Sequence, residues 1–265
     1  MKNILVLIHD DDGQEARLQA ALDLTRAVNG HLICLDVSLV TPFVGDSEGV
    51  SGGAMLIEVE RETETRNRAR LEPRLAKEGV SWEWIDTTDY LEPALEHAAT
   101  LTDVIVVNRA LDSLPMPDMR QVAASLIVKS GKPVLAVSDD ASGFKVAGNA
   151  LIAWDGSREA ADALGAAVPL LRLADKVTIL EVEDGSIAIP AEQAAVYLSR
   201  HDVHPVIVRR SGRSAAEVIL DSVYCGPFDY LVMGGFGHSR LVEAVFGGVT
   251  RRLLDDCPLP MLIAR

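Results

Sequence analysis

The chain is one pattern written twice, and that repeat constrains its fold more than any other feature. Asn3 to Asp10 reads NILVLIHD and Asn149 to Asp155 reads NALIAWD, each an apolar run ending in an aspartate. A small-residue, Ala-rich helical stretch follows each run, Gly13 to Asn29 and Ser157 to Leu173. HLICLDV (His31 to Val37) then matches KVTILEV (Lys176 to Val182), so Asp10 and Asp155 stand 145 residues apart, as do Val37 and Val182. DVIVVN (Asp103 to Asn108) matches DYLVMG (Asp229 to Gly234) at an offset of 126, and KPVLAV (Lys132 to Val137) matches LPMLIA (Leu259 to Ala264) at 127. The fall from 145 to 127 puts extra residues in the middle of the first copy, between Val40 and about Arg61.

Each copy alternates short apolar runs with helical stretches. The first predicts strands near 3–8, 32–38, 81–86, 103–108 and 133–138, and helices near 14–28, 55–78, 90–101 and 119–130. The second predicts strands near 149–154, 176–182, 203–209, 229–234 and 260–264, and helices near 157–172, 190–201, 213–224 and 248–256. The apolar runs are continuous, the sign of parallel strands covered on both faces by helices. The expected class is therefore α/β, with two doubly wound five-stranded parallel-sheet domains and right-handed crossovers. The domains are expected at 1–140 and 147–265, joined by the polar, Gly-containing link Ser138 to Gly148. Thr41 to Ala54 (TPFVGDSEGVSGGA) reads as a flexible loop, either a lid or a disordered insertion. The helix Glu58 to Glu78 alternates in charge sign and reads as a solvated, salt-bridged face.

With 48% apolar residues in 265, the chain can bury sizeable cores. Its net charge of −14 argues against coating nucleic acid or anionic lipid, which need a basic face. The first 145 residues carry −10 of that charge and the remainder −4. An anion site made of backbone N–H groups stays open, because it needs no net positive charge. Cys34, Cys225 and Cys257 are too scattered for a disulfide framework, and no CxxC occurs. No signal-peptide pattern is present, and no run approaches the roughly 18 apolar residues of a membrane span. These features together read as a cytoplasmic protein.

In doubly wound sheets ligands bind at the carboxyl ends of the strands. After the fourth strand of the second copy stands Gly234-Gly235-Phe236-Gly237-His238-Ser239-Arg240, and after LVEAVF comes Gly247-Gly248-Val249-Thr250-Arg251-Arg252. Glycines let a ligand approach the backbone, and a helix starting at Gly248 or Val249 offers free N–H groups and a hydroxyl to an anion. From the residues alone this is either a phosphate cradle or a Gly-rich turn without a ligand.

The spacing G-x2-G-x9-G at Gly234, Gly237 and Gly247 resembles that of the ATP-binding universal stress proteins. The resemblance covers essentially the whole chain, as a two-domain tandem member. It implies an adenine nucleotide alpha hydrolase-like fold and a tandem pseudo-dimer paired through the last strands. It also implies ATP, or AMP or ADP, in the second domain, with or without Mg²⁺. Carried over, Asp155 would accept from the ribose hydroxyls, with Ala153 on the same wall. Val182 would hold adenine through its backbone and methyls, and Met233 and Gly234 would flank ribose and phosphates. Gly237, Gly247, Gly248, Val249 and Thr250 would wrap the phosphates. His238 would either donate to a phosphate or cap the loop. Gly248 replaces the family's usual Ser or Thr, which removes one hydroxyl that Thr250 could replace. Arg240, Arg251 and Arg252 either neutralise phosphate or face solvent.

The first copy departs from this pattern. Its fourth strand ends in Asn108-Arg109-Ala110-Leu111-Asp112, with Pro115 and Pro117 following and no glycine pair before the helix at Met119. It is not expected to bind ATP. Asp10, with His9, Asp11 and Asp12, reads as an acidic turn; a metal there would find suitable ligands but no diagnostic spacing, and none is assigned. There is no Walker lysine, no base beside Asp155 and no nucleophile elbow, so no catalytic residue is assigned. The expected role is a stress-response regulatory module with little or no turnover. Two alternatives remain: a slow ATPase or nucleotide-dependent enzyme at the same site, and an interaction protein without nucleotide. Further homodimer formation is left open.

Overall fold

The computed structural model describes residues 1–40, 49–109, 117–183, 185, 187–212, 214–236 and 248–265. The first copy runs β1 (Asn3–Ile8), α1 (Gln14–Val28), β2 (His31–Leu39), α2 (Gly49–Leu75), β3 (Ser81–Asp89), α3 (Leu91–Ala98), β4 (Val104–Asn108), α4 (Met119–Ser130) and β5 (Val134–Val137). The second runs β6 (Asn149–Trp154), α5 (Arg158–Leu171), β7 (Lys176–Val182), α6 (Ala191–Ser199), β8 (Val206–Arg210), α7 (Ala215–Cys225), β9 (Tyr230–Gly234), α8 (Gly248–Asp256) and β10 (Met261–Ala264). Strand and helix alternate within each copy, as expected.

All ten described strands join one sheet in the order β3-β2-β1-β4-β5-β10-β9-β6-β7-β8. Every neighbouring pair is parallel except β5 with β10, which run antiparallel. The last strands of the two copies therefore fuse two five-stranded sheets into one, with Leu262 opposite Leu135 at the seam. Apolar side chains leave the strands alternately to two cores. Ile4, Val6 and Ile8 join α1 and the end of α2 on one face, while Leu5 and Leu7 join α3 and α4 on the other. The second copy repeats this with Ala150, Ile152 and Trp154 against Leu151.

The repeat extends to side chains at the strand starts. Asp103 accepts from the backbone N–H of Asn3, and Asp229, 126 residues later, accepts from that of Asn149, both at 2.9 Å. The register corrects one equivalence. Asn3 pairs with His31 and Asn149 with Lys176, so β1 and β6 differ by 146 positions rather than 145. Continued one residue past the strand, His9, not Asp10, is the counterpart of Asp155. The turn after β1 holds extra residues that a gapless comparison of the two strings hides.

Two further expectations are revised. The helix after β2 begins at Gly49, inside the stretch read as a loop, because a formed helix extends cheaply one hydrogen bond at a time. The rest of that stretch, Thr41 to Glu48, lies outside the described residues. Nor is α2 solvated on every side. Arg68–Glu72 and Arg74–Glu78 form the expected i,i+4 pairs, but Glu64, Asn67, Leu71 and Leu75 are buried along one helical stripe. Elsewhere the boundaries shift by a few residues; β8 starts at Val206 because Pro205 has no N–H to give a sheet. Among the described residues, no helix is long and apolar enough to cross a membrane.

Candidate functional site

The second copy holds a cavity of about 360 Å³ at the carboxyl ends of β6, β7 and β9, within the usual size of a small-molecule site. Three segments shape it. The first is the turn after β6. Asp155 Oδ1 accepts from the Ser157 N–H (2.9 Å), and Ser157 Oγ accepts from the Ala160 N–H (3.1 Å), starting α5. Gly156 between them has φ +72°, and a Cβ there would fall 2.1 Å from the backbone N of Ile189. Only glycine fits that turn.

The second segment is the end of β9. Met233 and Gly234 lie beside Ala153 of β6, and Gly234 packs directly on the first turn of α5. The Gly235 N–H donates to Ala264 of β10 (3.0 Å). Phe236 follows at φ +63°, an unusual conformation for a bulky residue. The third segment is the start of α8, where Gly248 and Val249 border the cavity and Thr250 is buried. The first turn of any helix leaves N–H groups without intrahelical acceptors.

The lining divides by chemistry. Leu180, Val182, Ala215 and Ile219 make an apolar wall, and Gly234, Gly235 and the α8 start make a backbone wall. Asp155 and Glu159 are the ionisable side chains among the described lining residues, and no cationic side chain lines the cavity among them. Among the described residues, an anion here would meet helix N–H groups rather than a basic side chain.

Of the site residues expected from sequence, Ala153, Asp155, Val182, Met233, Gly234, Gly248, Val249 and Thr250 all border this one cavity. Gly237, His238 and Gly247, with Arg240, lie outside the described residues. Arg251 and Arg252 do not line the cavity, and Arg252 is paired with Asp256 at 2.6 Å. Sequence reasoning missed Ser157, Glu159, Ala160, Leu180, Ile187, Ala215 and Ile219. The N-cap signature of Ser157 and the rule that ligands sit at helix starts were the available signals for the first two. Trp154 borders the cavity but is chiefly a packing residue, 5% exposed, with its indole N–H donating to Ile189 O (2.8 Å).

At the matching strand ends of the first copy, a side-chain network crosses the described residues. Gly234 and Gly235 correspond to Asn108 and Arg109, whose backbone follows the same path: Arg109 N–H donates to Val137 O at 2.8 Å. Arg17, fully buried, spreads its guanidinium across the ends of β1 and β4. It donates to Leu7 O (2.7 Å), His9 O (2.9 Å) and Asn108 Oδ1 (2.7 Å), and bidentately to Asp11 (2.8 and 2.7 Å). Asn108 also donates to Gly13 O (3.2 Å). The Arg109 side chain crosses to the second copy, donating to Leu254 O (2.9 Å) and Asp255 O (2.7 Å) near the C-terminus of α8.

Beside this network the first copy buries several titratable groups. Burial works against a charged His9, but Glu64, Glu60 and Asp11 outweigh it and raise its pKa. Burial, then the charges of Glu64 and Asp86, push the Asp36 carboxyl up to about 8.

A tandem pair of doubly wound α/β units, fused edge to edge and with a glycine-walled cavity in one of them, is the class of protein that fold and site define. No family model matches the sequence, and no curated protein does. Solved structures do. The chain is similar over 99% of its length to a universal stress protein from Archaeoglobus fulgidus, covering 96% of that chain, with a TM-score of 0.79 and 16% identity. It is similar over its whole length to a protein of unknown function from Pseudomonas aeruginosa, covering 92% of that chain (TM-score 0.67, 16% identity). The architecture is thus the tandem universal stress protein fold, with two such units in one chain.

Proposed function

We propose that the chain is a tandem universal stress protein that binds one adenine nucleotide, ATP or its AMP or ADP relatives, in the second copy. The observation that carries this reading is the convergence of eight expected residues, from three strand ends and a helix start, on a single cavity. Adenine would lie against Leu180, Val182 and Ile219. The ribose hydroxyls would donate to Asp155, and the phosphates would face the N–H groups at the α8 start. Mg²⁺ would offset phosphate charge, since no basic side chain lines the cavity among the described residues. Among the described lining residues no histidine is present and Glu159 is the one carboxylate besides Asp155, so turnover would be slow or nil in this reading, and the role would be regulatory. In this reading residues 1–140 form a unit without nucleotide, because Arg17 and Asn108 occupy the ground a ligand would need, and residues 147–265 form the binding unit. A cytoplasmic setting belongs to the same proposal.

Two measurements test it. Mass spectrometry of freshly purified, denatured protein should release an adenine nucleotide. Thermal denaturation should shift upward with ATP and Mg²⁺, since a ligand at 100 times its Kd adds about 2.7 kcal/mol. An unmoved transition with ATP, ADP and AMP alike would reject the reading.

A further inference from the structure

We propose that the first copy carries a divalent transition-metal site, with Zn²⁺ the best-matched ion, formed by His9, Glu60 and Glu64 with Asp36 beside them. It is separate from the nucleotide cavity. Glu60 and Glu64 are one helical turn apart on the stripe of α2 that faces the sheet, and His9 follows β1. His9 Nδ1 lies 3.0 Å from Glu64 Oε1 and 3.5 Å from Glu60 Oε1. One ligand atom from each of the three residues falls within 4.8 Å of the others. Ligands about 2.0–2.2 Å from a tetrahedral Zn²⁺ are themselves about 3.4 Å apart, so a small shift of these side chains would receive the ion.

The second observation is a set of buried atoms without well-aligned partners. Among the described residues, His9 Nδ1, Glu60 Oε1 and Asp36 Oδ1 are buried without a well-aligned hydrogen bond: His9 Nδ1 only faces Glu64 Oε1 across 3.0 Å, and Asp36 lies against Trp84 and Glu64. Asp36 is 1% exposed, sits opposite Ile8 in the sheet and feels the charge of Glu64 directly. Buried polar atoms without partners are rare in proteins. His9 and Glu60, both metal-ligand types, meet at Glu64, which Asp36 also adjoins, and a cation among them would satisfy these atoms together.

Charge points the same way. A protonated His9 could neutralise one carboxylate, whereas a 2+ ion neutralises two without adding a proton. Glu64 is also held in place as metal-binding carboxylates are. Its Oε2 accepts from Asn67 Nδ2 (2.9 Å), its Oε1 from the Asp10 N–H (3.0 Å), and Asn67 is locked to Gln14 by reciprocal amide bonds of 2.9 and 2.7 Å. An imidazole among carboxylates favours Zn²⁺ over Mg²⁺ or Ca²⁺, which take oxygen ligands.

The test uses the full chain, stripped with chelator and free of nucleotide. Co²⁺ is titrated in while its visible absorption is followed, and Zn²⁺ is then added in competition. The expected result is one Co²⁺ per chain, displaced by one Zn²⁺, with binding lost in Glu64→Gln and His9→Gln. Glu60→Gln, at a side chain 20% exposed, leaves the core intact and should weaken binding at least about tenfold. Asp155→Asn, in the cavity, should leave it unchanged. Absence of a Co²⁺ spectrum in the parent chain would overturn the site. So would an unchanged affinity in Glu60→Gln, or loss of binding in Asp155→Asn, which would put the ion in the nucleotide cavity.

Discussion

Gly234→Ala puts the site's construction to a measurable test. A Cβ on Gly234 would lie 2.4 Å from Ala160 N, 2.6 Å from Glu159 C and 2.9 Å from Ala160 Cα, all backbone atoms. Ordinary contact begins near 3.4 Å, so the first turn of α5 would have to retreat by about 1 Å. It is poorly free to do so. Ser157 and Asp155 pin its start, and Ala160, Ala163, Leu164 and Ala167 anchor its length in the core. Overpacking of this kind costs about 1–3 kcal/mol, while replacing a strand glycine by alanine returns about 0.5–1 kcal/mol. The difference is a loss of up to about 2.5 kcal/mol, centred on about 1 kcal/mol, or a few degrees in Tm for a chain of this size. Gly248→Ala is the matched control. Among the described residues no atom lies within 4 Å of its added Cβ, so its stability should stay within about 0.5 kcal/mol of the parent. Urea denaturation reads both. A Gly234→Ala chain as stable as the parent would refute the close-packing argument, as would a Gly248→Ala chain that loses more.

Other expectations concern the link between copies and the titrating groups. Arg109→Ala should lower stability by about 1.5–3 kcal/mol, because it removes charge-assisted bonds to two carbonyls of α8; in the same denaturation it should also weaken the nucleotide-induced shift. Burial alone would raise the Asp103 carboxyl, but donation from the backbone N–H groups of Asn3 and Lys2 outweighs it and lowers the pKa. Its stabilisation is therefore present above the unfolded value near ~3.9 and is lost as pH falls through the lower folded value. The stability advantage of the parent over Asp103→Asn should accordingly shrink on acidification below that range, and a gap that widens would contradict it. Burial pushes the Cys34 thiol up to about 12 and also raises Cys257, whereas Cys225 is exposed. A thiol reagent should label Cys225 alone in the native chain and all three cysteines once it is unfolded.

Much of the fold was legible because parallel strands buried on both faces leave continuous apolar runs, and the runs recur at fixed offsets. The register reproduces 126 between β4 and β9 and 127 between β5 and β10. The glycine-walled cavity was legible because backbone approach demands glycine, which is visible as a letter. What escaped depended on side chains that contradict their type. Arg17 reads as a surface cation on a helix, yet it is fully buried, because only the fold brings Leu7 O, His9 O and Asn108 together around it. Glu64 disappeared into an alternating charge run. The spacing 60-64-67-71-75 did mark one stripe, apolar at Leu71 and Leu75 and polar at Glu60, Glu64 and Asn67, and periodicity of position rather than of hydrophobicity was the usable signal. His9 was misaligned because the turn after the first strand is longer in the first copy than in the second, which no comparison of apolar runs reveals.

The central claim is that two copies of one fold carry a single nucleotide site. Isothermal titration of the full chain with ATP and Mg²⁺ measures it as a stoichiometry. The expected result is one nucleotide per 265-residue chain, with affinity reduced by Asp155→Asn and unaffected by Asp10→Asn. Two nucleotides per chain would mean that the Arg17 network does not close the first copy, and no binding at all would contradict the account.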